Sequence, residues 1–121
     1  MSAFLELRGI RPHVLREGVT ARAVTGERMT MAVVDLEPNA TVPEHKHDNE
    51  QLGFVISGVM TMRIGSEERE LHAGDTYTIP SNTLHEATAG EDGSTVVDAF
   101  APVRADWAAL KRLEPSTGRW P

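Results

Sequence analysis

The sequence predicts an all-β fold, a jelly-roll or Greek-key barrel with one short C-terminal helix. Apolar residues fall in short alternating runs, the spacing of half-buried strands. Gly, Pro and Asn punctuate those runs at short intervals. Helical spacing is read only over Asp106–Leu113, where Asp106 is placed to cap and Trp107 and Leu110 share a face. At 121 residues and 13.2 kDa, with no repeat, linker or low-complexity segment, residues 1–121 read as one domain with one core.

The elements follow in order. Phe4–Arg8 reads as an edge strand, then come Thr20–Val24 and the longer Arg28–Glu37, which Pro38 and Asn39 stop. These N-terminal strands occupy residues 1–37, and the barrel core spans 38–101. Within it, Leu52–Ser57 and Val59–Ile64 read as two strands joined by a turn at Ser57-Gly58. A second turn is expected at Gly65-Ser66-Glu67. Gly74-Asp75 leads into Thr76–Ile79, and Pro80 opens a loop ending at His85. Glu86–Ala89 and Ser94–Phe100, separated by a turn at Gly90–Gly93, complete the sheet. Residues 102–121 supply the helix, with Trp107 anchoring it, and a Pro-flanked tail in which Trp120 is expected to be poorly ordered.

Charge and composition exclude several classes. Twelve Lys and Arg against eighteen Asp and Glu give a net charge of -6. With no basic stripe, nucleic acid and anionic membrane surfaces are poor partners. No apolar run approaches a membrane span, and the N-terminus carries no signal-peptide pattern. The absence of cysteine removes disulfides and thiolate chemistry and fits a cytoplasmic location.

Concentrated chemistry is confined to His45-Lys46-His47-Asp48-Asn49-Glu50-Gln51 and the distant His85. Alternate residues of a strand share a face, so His45 and His47 project together, and Gln51 joins them if the strand resumes without a bulge. Glu50, of opposite parity, should point away. Two nearby histidines alone are ordinary surface or turn residues. Here Pro43 precedes them and Gly58 closes the apolar run that follows. His-x-His, three residues, Gln, six residues, Gly resembles the first signature of the cupin superfamily. Gly74, five residues, Pro80, then Asn82-Thr83-Leu84-His85 resembles its second. The resemblance covers about residues 38–101. It implies a double-stranded β-helix holding one divalent transition-metal ion per chain (Zn, Ni, Fe, Mn or Cu) on His45, His47, Gln51 and His85.

Two residues depart from the cupin pattern, which usually has Glu at Gln51 and Gly at Asn82. Asn tolerates the left-handed turn conformation, so the second is easily absorbed. The first has consequences, because a neutral amide leaves the metal's full charge uncancelled and favours an anionic ligand.

A second constellation lies in Asp98-Ala99-Phe100-Ala101-Pro102-Val103-Arg104, where Asp98 and Phe100 share a face. With the metal motif it resembles the KdgF-like cupins of pectin and alginate breakdown, which open the ring of 4,5-unsaturated monouronates to a linear keto acid. The resemblance implies Asp98 as general acid and base, Arg104 as a grip on the substrate carboxylate, and Phe100 as an apolar wall. Structural alternatives stand beside these roles. Asp98 could be a hydrogen-bonded support, Phe100 plain core, and Arg104 a partner for Asp106 or Glu86. A metal-dependent dioxygenase and a non-catalytic sugar- or anion-binding module are the competing functions.

Small barrels leave edges that must be covered, so a homodimer is expected with Met1–Val24 contributing. Met29, Met31, Met60 and Met62 could form part of that dimer surface but read chiefly as strand packing. His13 and His72 read as solvated, and Tyr77, which alternates away from Thr76 and Thr78, is placed lining the barrel or packing between sheets, with no assigned role.

Overall fold

Two long strands organise the chain, and each is folded at a corner. The computed structural model describes residues 2–121. Its strands are β1 (His13–Arg16), β2 (Val19–Thr25), β3 (Thr30–Leu36), β4 (Thr41–His45), β5 (Glu50–Ile64), β6 (Glu67–Leu71), β7 (Thr76–Ile79) and β8 (His85–Ala101). β5 and β8 run antiparallel from the Glu50–Ala101 pair to the Ile64–His85 pair, with register shifts on either side of Gly58. The first half of β5 also pairs with β7, and the matching half of β8 pairs with β3, giving the ladder β1-β2-β3-β8-β5-β7. The other halves pair with β6 and β4. One bent ribbon thus carries two sheets, which pack face to face as a jelly roll.

The core lies between the sheets. Ala21, Val34, Val96 and Val55 form one continuous buried row across β2, β3, β8 and β5. Opposite them, Met60 pairs with Ala89 and Met62 with Ala87, all buried. Each large aliphatic side chain so removed from water contributes about 1.5–3 kcal/mol. The alternating burial of β7 and of Glu50–Val55 in β5 is the period of two seen in the sequence. Of the four methionines read as strand packing, Met60 and Met62 fill the barrel, while Met31 and Met29, just before β3, are exposed.

The all-β architecture agrees with the sequence, but several elements differ. Phe4–Arg8 is no strand. Leu7–Gly9 forms a 3-10 turn, and Phe4 and Leu5 are 86% and 68% exposed. Gly58 is a corner within one continuous strand rather than a hairpin turn. Its φ is +78°, and a Cβ there would strike the Gly93 carbonyl and the Ser94 backbone across the ladder. Gly90–Gly93 likewise stays inside β8. β4 and the charged edge strand β6, with four of its five residues exposed, have no apolar alternation to reveal them.

The expected helix is a 3-10 turn, Ala105–Ala109, with Arg104 rather than Asp106 at its start. It stops because the next residues pair with the N-terminal segment. Val14 N–H donates to the Lys111 carbonyl at 2.8 Å, and Leu113 N–H to that of Pro12 at 2.8 Å. Trp107 is buried, as expected of an anchor. The tail is not loose. Arg22 donates to the Trp120 carbonyl, and Arg119 N–H donates to Asp35 at 3.2 Å. No helix among the described residues is long and apolar enough to cross a membrane.

Candidate metal centre

His45 ends β4 and His85 begins β8, and the two are register partners. His47 sits in the following loop and Gln51 at the start of β5. One ring nitrogen from each of His45, His47 and His85 lies within 4.8 Å of the others. Each Nδ1 is engaged by a main-chain carbonyl two residues away along the chain. His45 meets Pro43 at 2.8 Å, His47 meets Asn49 at 3.0 Å, and His85 meets Thr83 at 2.8 Å. A carbonyl only accepts, so Nδ1 carries the proton and each Nε2 keeps a free lone pair. Such contacts fix the tautomer and ring orientation that a metal site requires.

The chemistry of the donor set tests the fit. The Gln51 amide oxygen lies 3.1 Å from His47 Nε2. Burial, with the Arg104 charge nearby, lowers the His47 pKa, so the ring is neutral at pH 7 and two acceptors face one another. Two donors held about 2.1 Å from a shared ion stand about 3.0–3.4 Å apart, and a cation would satisfy both. The four side chains fit a divalent transition metal.

The loops are pinned to one another. His47 C=O accepts from Asn82 N–H at 2.8 Å, and Asp48 C=O accepts from the Ser81 hydroxyl at 2.6 Å. Asn82 has φ +58°, the left-handed turn expected where glycine is usual. Buried Asn49 donates to the carbonyls of Pro102 at 2.6 Å and Val103 at 3.2 Å. Gln51 is buried and Glu50 exposed, as strand parity requires.

Asp98, Phe100 and Arg104 reach the same cavity, which has a volume of about 450 Å³ and is also lined by the four donors. The Phe100 ring meets His47 edge-on at 5.9 Å. The Arg104 guanidinium lies 4.7 Å from the ring centres of both Phe100 and Trp107. It also makes a two-point ion pair with Asp106, at 3.1 and 3.0 Å. The ion-pair alternative for Arg104 is therefore realised with Asp106, while Glu86 pairs with Arg63 at 2.9 Å.

Burial dominates the titration of the site. It pushes Asp98 up to about 6, against the stabilising hydrogen bonds from Tyr77 and Gln51 and the Arg104 charge. It pushes His85 down to about 4, opposed by the Thr83 carbonyl and assisted by the neighbouring His45, His47 and Arg104.

The family model described as "Cupin domain" matches residues 32–99. The chain belongs to the cupin family. It is 33% identical over 95 residues to the pectin degradation protein KdgF of Dickeya dadantii, covering 77% of this chain and 86% of that protein. The structure of KdgF from Halomonas sp. superposes with a TM-score of 0.80 at 26% identity, covering 88% of this chain and 98% of that one. A weaker match, 27% over 77 residues, is to the acireductone dioxygenase of Exiguobacterium sibiricum. It covers 60% of this chain and 43% of that protein.

Several residues of the cupin site were not singled out from the sequence. Tyr77 is buried and its hydroxyl donates to Asp98 Oδ1. The signal was Gly53, an isolated glycine inside a strand pattern, which marks a close approach. Asn49 shares the parity of His47 and Gln51, which flags it as inward-facing. Leu15 and Arg16 of β1 line the cavity too, and nothing in their local sequence announces it. His13 is not solvated as read. Its ring packs 6.1 Å from that of Trp107, and its Nδ1 is buried without a partner. His72 is exposed, as expected.

Proposed function

We propose that this cupin is a metal-dependent isomerase that opens the ring of 4,5-unsaturated monouronates to linear keto acids, with His45, His47, Gln51 and His85 as metal ligands. One observation carries the reading. A buried carboxyl, Asp98, faces the same cavity as four uncharged donors and a stacked arginine. The similarity to pectin degradation proteins supports the substrate class, because pectin is a polymer of an anionic uronate.

When bound, a divalent ion with four neutral ligands keeps its double positive charge and supplies Lewis-acid stabilisation to an anionic oxygen. Arg104 pairs with the substrate carboxylate, its plane fixed by Phe100, Trp107 and Asp106. Asp98 takes the proton of the anomeric hydroxyl while the bond from the anomeric carbon to the ring oxygen breaks. That electron pair moves onto the ring oxygen, giving an aldehyde and an enolate. Asp98 then returns the proton to the far carbon of the double bond, and the enolate becomes the ketone. Atoms and charge balance, so no co-reactant is needed. A carboxyl poised near 6 suits a group that must both take and give a proton at neutral pH. Phe100 and Trp107 exclude water from the apolar side.

Four uncharged donors differ from the Fe(II) oxygenase triad, which includes a carboxylate, and this favours ring opening over oxygenation. The test is loss of the substrate's ultraviolet enol-ether absorbance when metal-loaded protein is added to unsaturated galacturonate or mannuronate. No loss with either substrate sinks the proposal, and saturable binding without turnover supports a binding module instead.

The active species is proposed to be a homodimer. Val24, Met31, Ala99 and Leu52 form an uncharged row on the outer face of the larger sheet, with Phe54 in the next row. Met31 and Leu52 are each 50% exposed and Phe54 44%. Two acidic chains can meet on such a face without bringing like charges together. Phe4 and Leu5, without a place on their own barrel, add apolar surface from the expected N-terminal segment, of which Met1 lies outside the described residues.

A further inference from the structure

Tyr77, Gly53 and Asp98 occupy a single row across three adjacent strands. Gly53 of β5 is the register partner of Tyr77 on β7 and of Asp98 on β8. Side chains in such a row point to the same side, here into the cavity, and the outer two are normally separated by the middle one. Here the middle residue has no side chain. The Tyr77 ring leans across the gap, and its hydroxyl donates to Asp98 Oδ1. A Cβ on Gly53 would collide with both the tyrosine ring and that carboxylate oxygen. The glycine therefore serves as a saddle for this contact, and its φ is not the reason for it.

We infer that Tyr77 is a positioning residue, whose hydroxyl, laid over Gly53, fixes the rotamer of Asp98 and leaves Oδ2 as the oxygen that exchanges a proton with the substrate. The inference rests on the ring-opening reading, in which Asp98 carries the proton. Three features separate it from ordinary packing. The phenol is buried, so its only gain from a hydroxyl over a phenyl is the hydrogen bond. Asp98 has no ion-pair partner within 4 Å among the described residues, so no salt bridge orients it. The other side chain that bonds to it, Gln51, is also turned toward the histidines, so Tyr77 is the donor committed to Asp98 alone. A carboxylate that must reach both the anomeric hydroxyl and a ring carbon gains from being held within a narrow range of angles.

The test is Tyr77→Phe in the metal-loaded enzyme, a change that keeps the ring and removes the donor. The expected result is a kcat lower by about tenfold or more, with KM within about twofold of wild type. Metal content and melting temperature should stay close to those of wild type. A crystal structure of the variant should show the Asp98 carboxylate rotated away from its wild-type orientation. Unchanged kcat, or loss of metal and stability with kcat per bound ion preserved, would overturn the inference. If the wild-type enzyme turns over no unsaturated uronate, the ring-opening reading falls, and the crystal structure still decides this one. An Asp98 that keeps its orientation beside phenylalanine ends it.

Discussion

His47 Nε2 and Gln51 Oε1 face each other at 3.1 Å with no proton between them, since the imidazole proton sits on Nδ1 against the Asn49 carbonyl. The amide of Gln51 is therefore turned with its oxygen toward the histidines and its N–H toward Asp98, whose carboxyl it helps hold down. A glutamate could make the first contact but not the second. The amide is what would let the proposed ligand on β5 lie beside a buried carboxylate on the adjacent strand β8.

Gln51→Glu tests that relationship. A second carboxylate beside Asp98 adds like-charge repulsion, which raises the Asp98 pKa further, while a charged ligand binds the cation more tightly. Metal retention against a chelator should increase, and turnover should fall by about tenfold or more. Metal analysis after dialysis and a kcat measurement check the two halves separately.

Metal binding should release few protons from the buried histidines. His85 is pushed down to about 4 and is already neutral at pH 6.5, and His47 is lowered in the same direction. A histidine at its ordinary pKa of about 6.5 would release about half a proton there. Calorimetry of metal binding in buffers of different ionisation enthalpy gives the count directly. About half a proton traced to His85 itself, by NMR titration of the metal-free protein at pH 6.5, would contradict the burial argument.

Asp98→Asn should stabilise the chelated protein at neutral pH while abolishing turnover. The Asp98 carboxyl is raised from 3.8 to about 6 on folding. Between those values the unfolded chain ionises first, so stability falls as pH rises, and above about 6 the full cost is present. A shift of about two units corresponds to about 3 kcal/mol at most, so a gain of about 1–3 kcal/mol at pH 7 is expected. Urea melts at pH 7 and pH 4.5 check it, with the gain shrinking at the lower pH. His85 has the opposite sign. Its contribution is full above 6.5 and is lost as pH falls toward 4, so the variant should also lose stability more steeply on acidification.

Arg104→Ala should raise KM for an unsaturated uronate by about tenfold or more while leaving metal content unchanged, and His85→Ala should do the reverse. Arg104→Lys should not rescue, because an ammonium reproduces neither the two-point pairing with Asp106 nor the stacking on Phe100 and Trp107. Loss of metal in Arg104→Ala would show that the division of roles is wrong.

Phe54→Glu should convert a dimer to a monomer without loss of metal, because Phe54 lies on the outer face of β5, remote from the inward-facing donors. Light scattering during size exclusion reads the mass. A wild-type monomer would remove the dimer proposal altogether.

What the sequence determined by itself is set by short-range geometry. The period of two set Gln51 inward and Glu50 outward at the start of β5, whereas His47, of the same parity as His45, sits in the loop between β4 and β5. The left-handed turn at Asn82 was legible through the resemblance, whose pattern usually has glycine there, and Asn is one of the few other side chains that tolerate it. Alternating runs gave the sheet faces of β5 and β7. The same local rules misread Gly58 and Gly90–Gly93 as turns, since a corner in a folded strand and a hairpin use the same residue. Only the tertiary structure decided that Lys111–Leu113 pair with Pro12–Val14 instead of completing a helix, because hydrogen bonds to a distant segment replaced those of the next turn. It alone laid Tyr77 over Gly53 onto Asp98, a contact made across three strands that no spacing along one chain encodes.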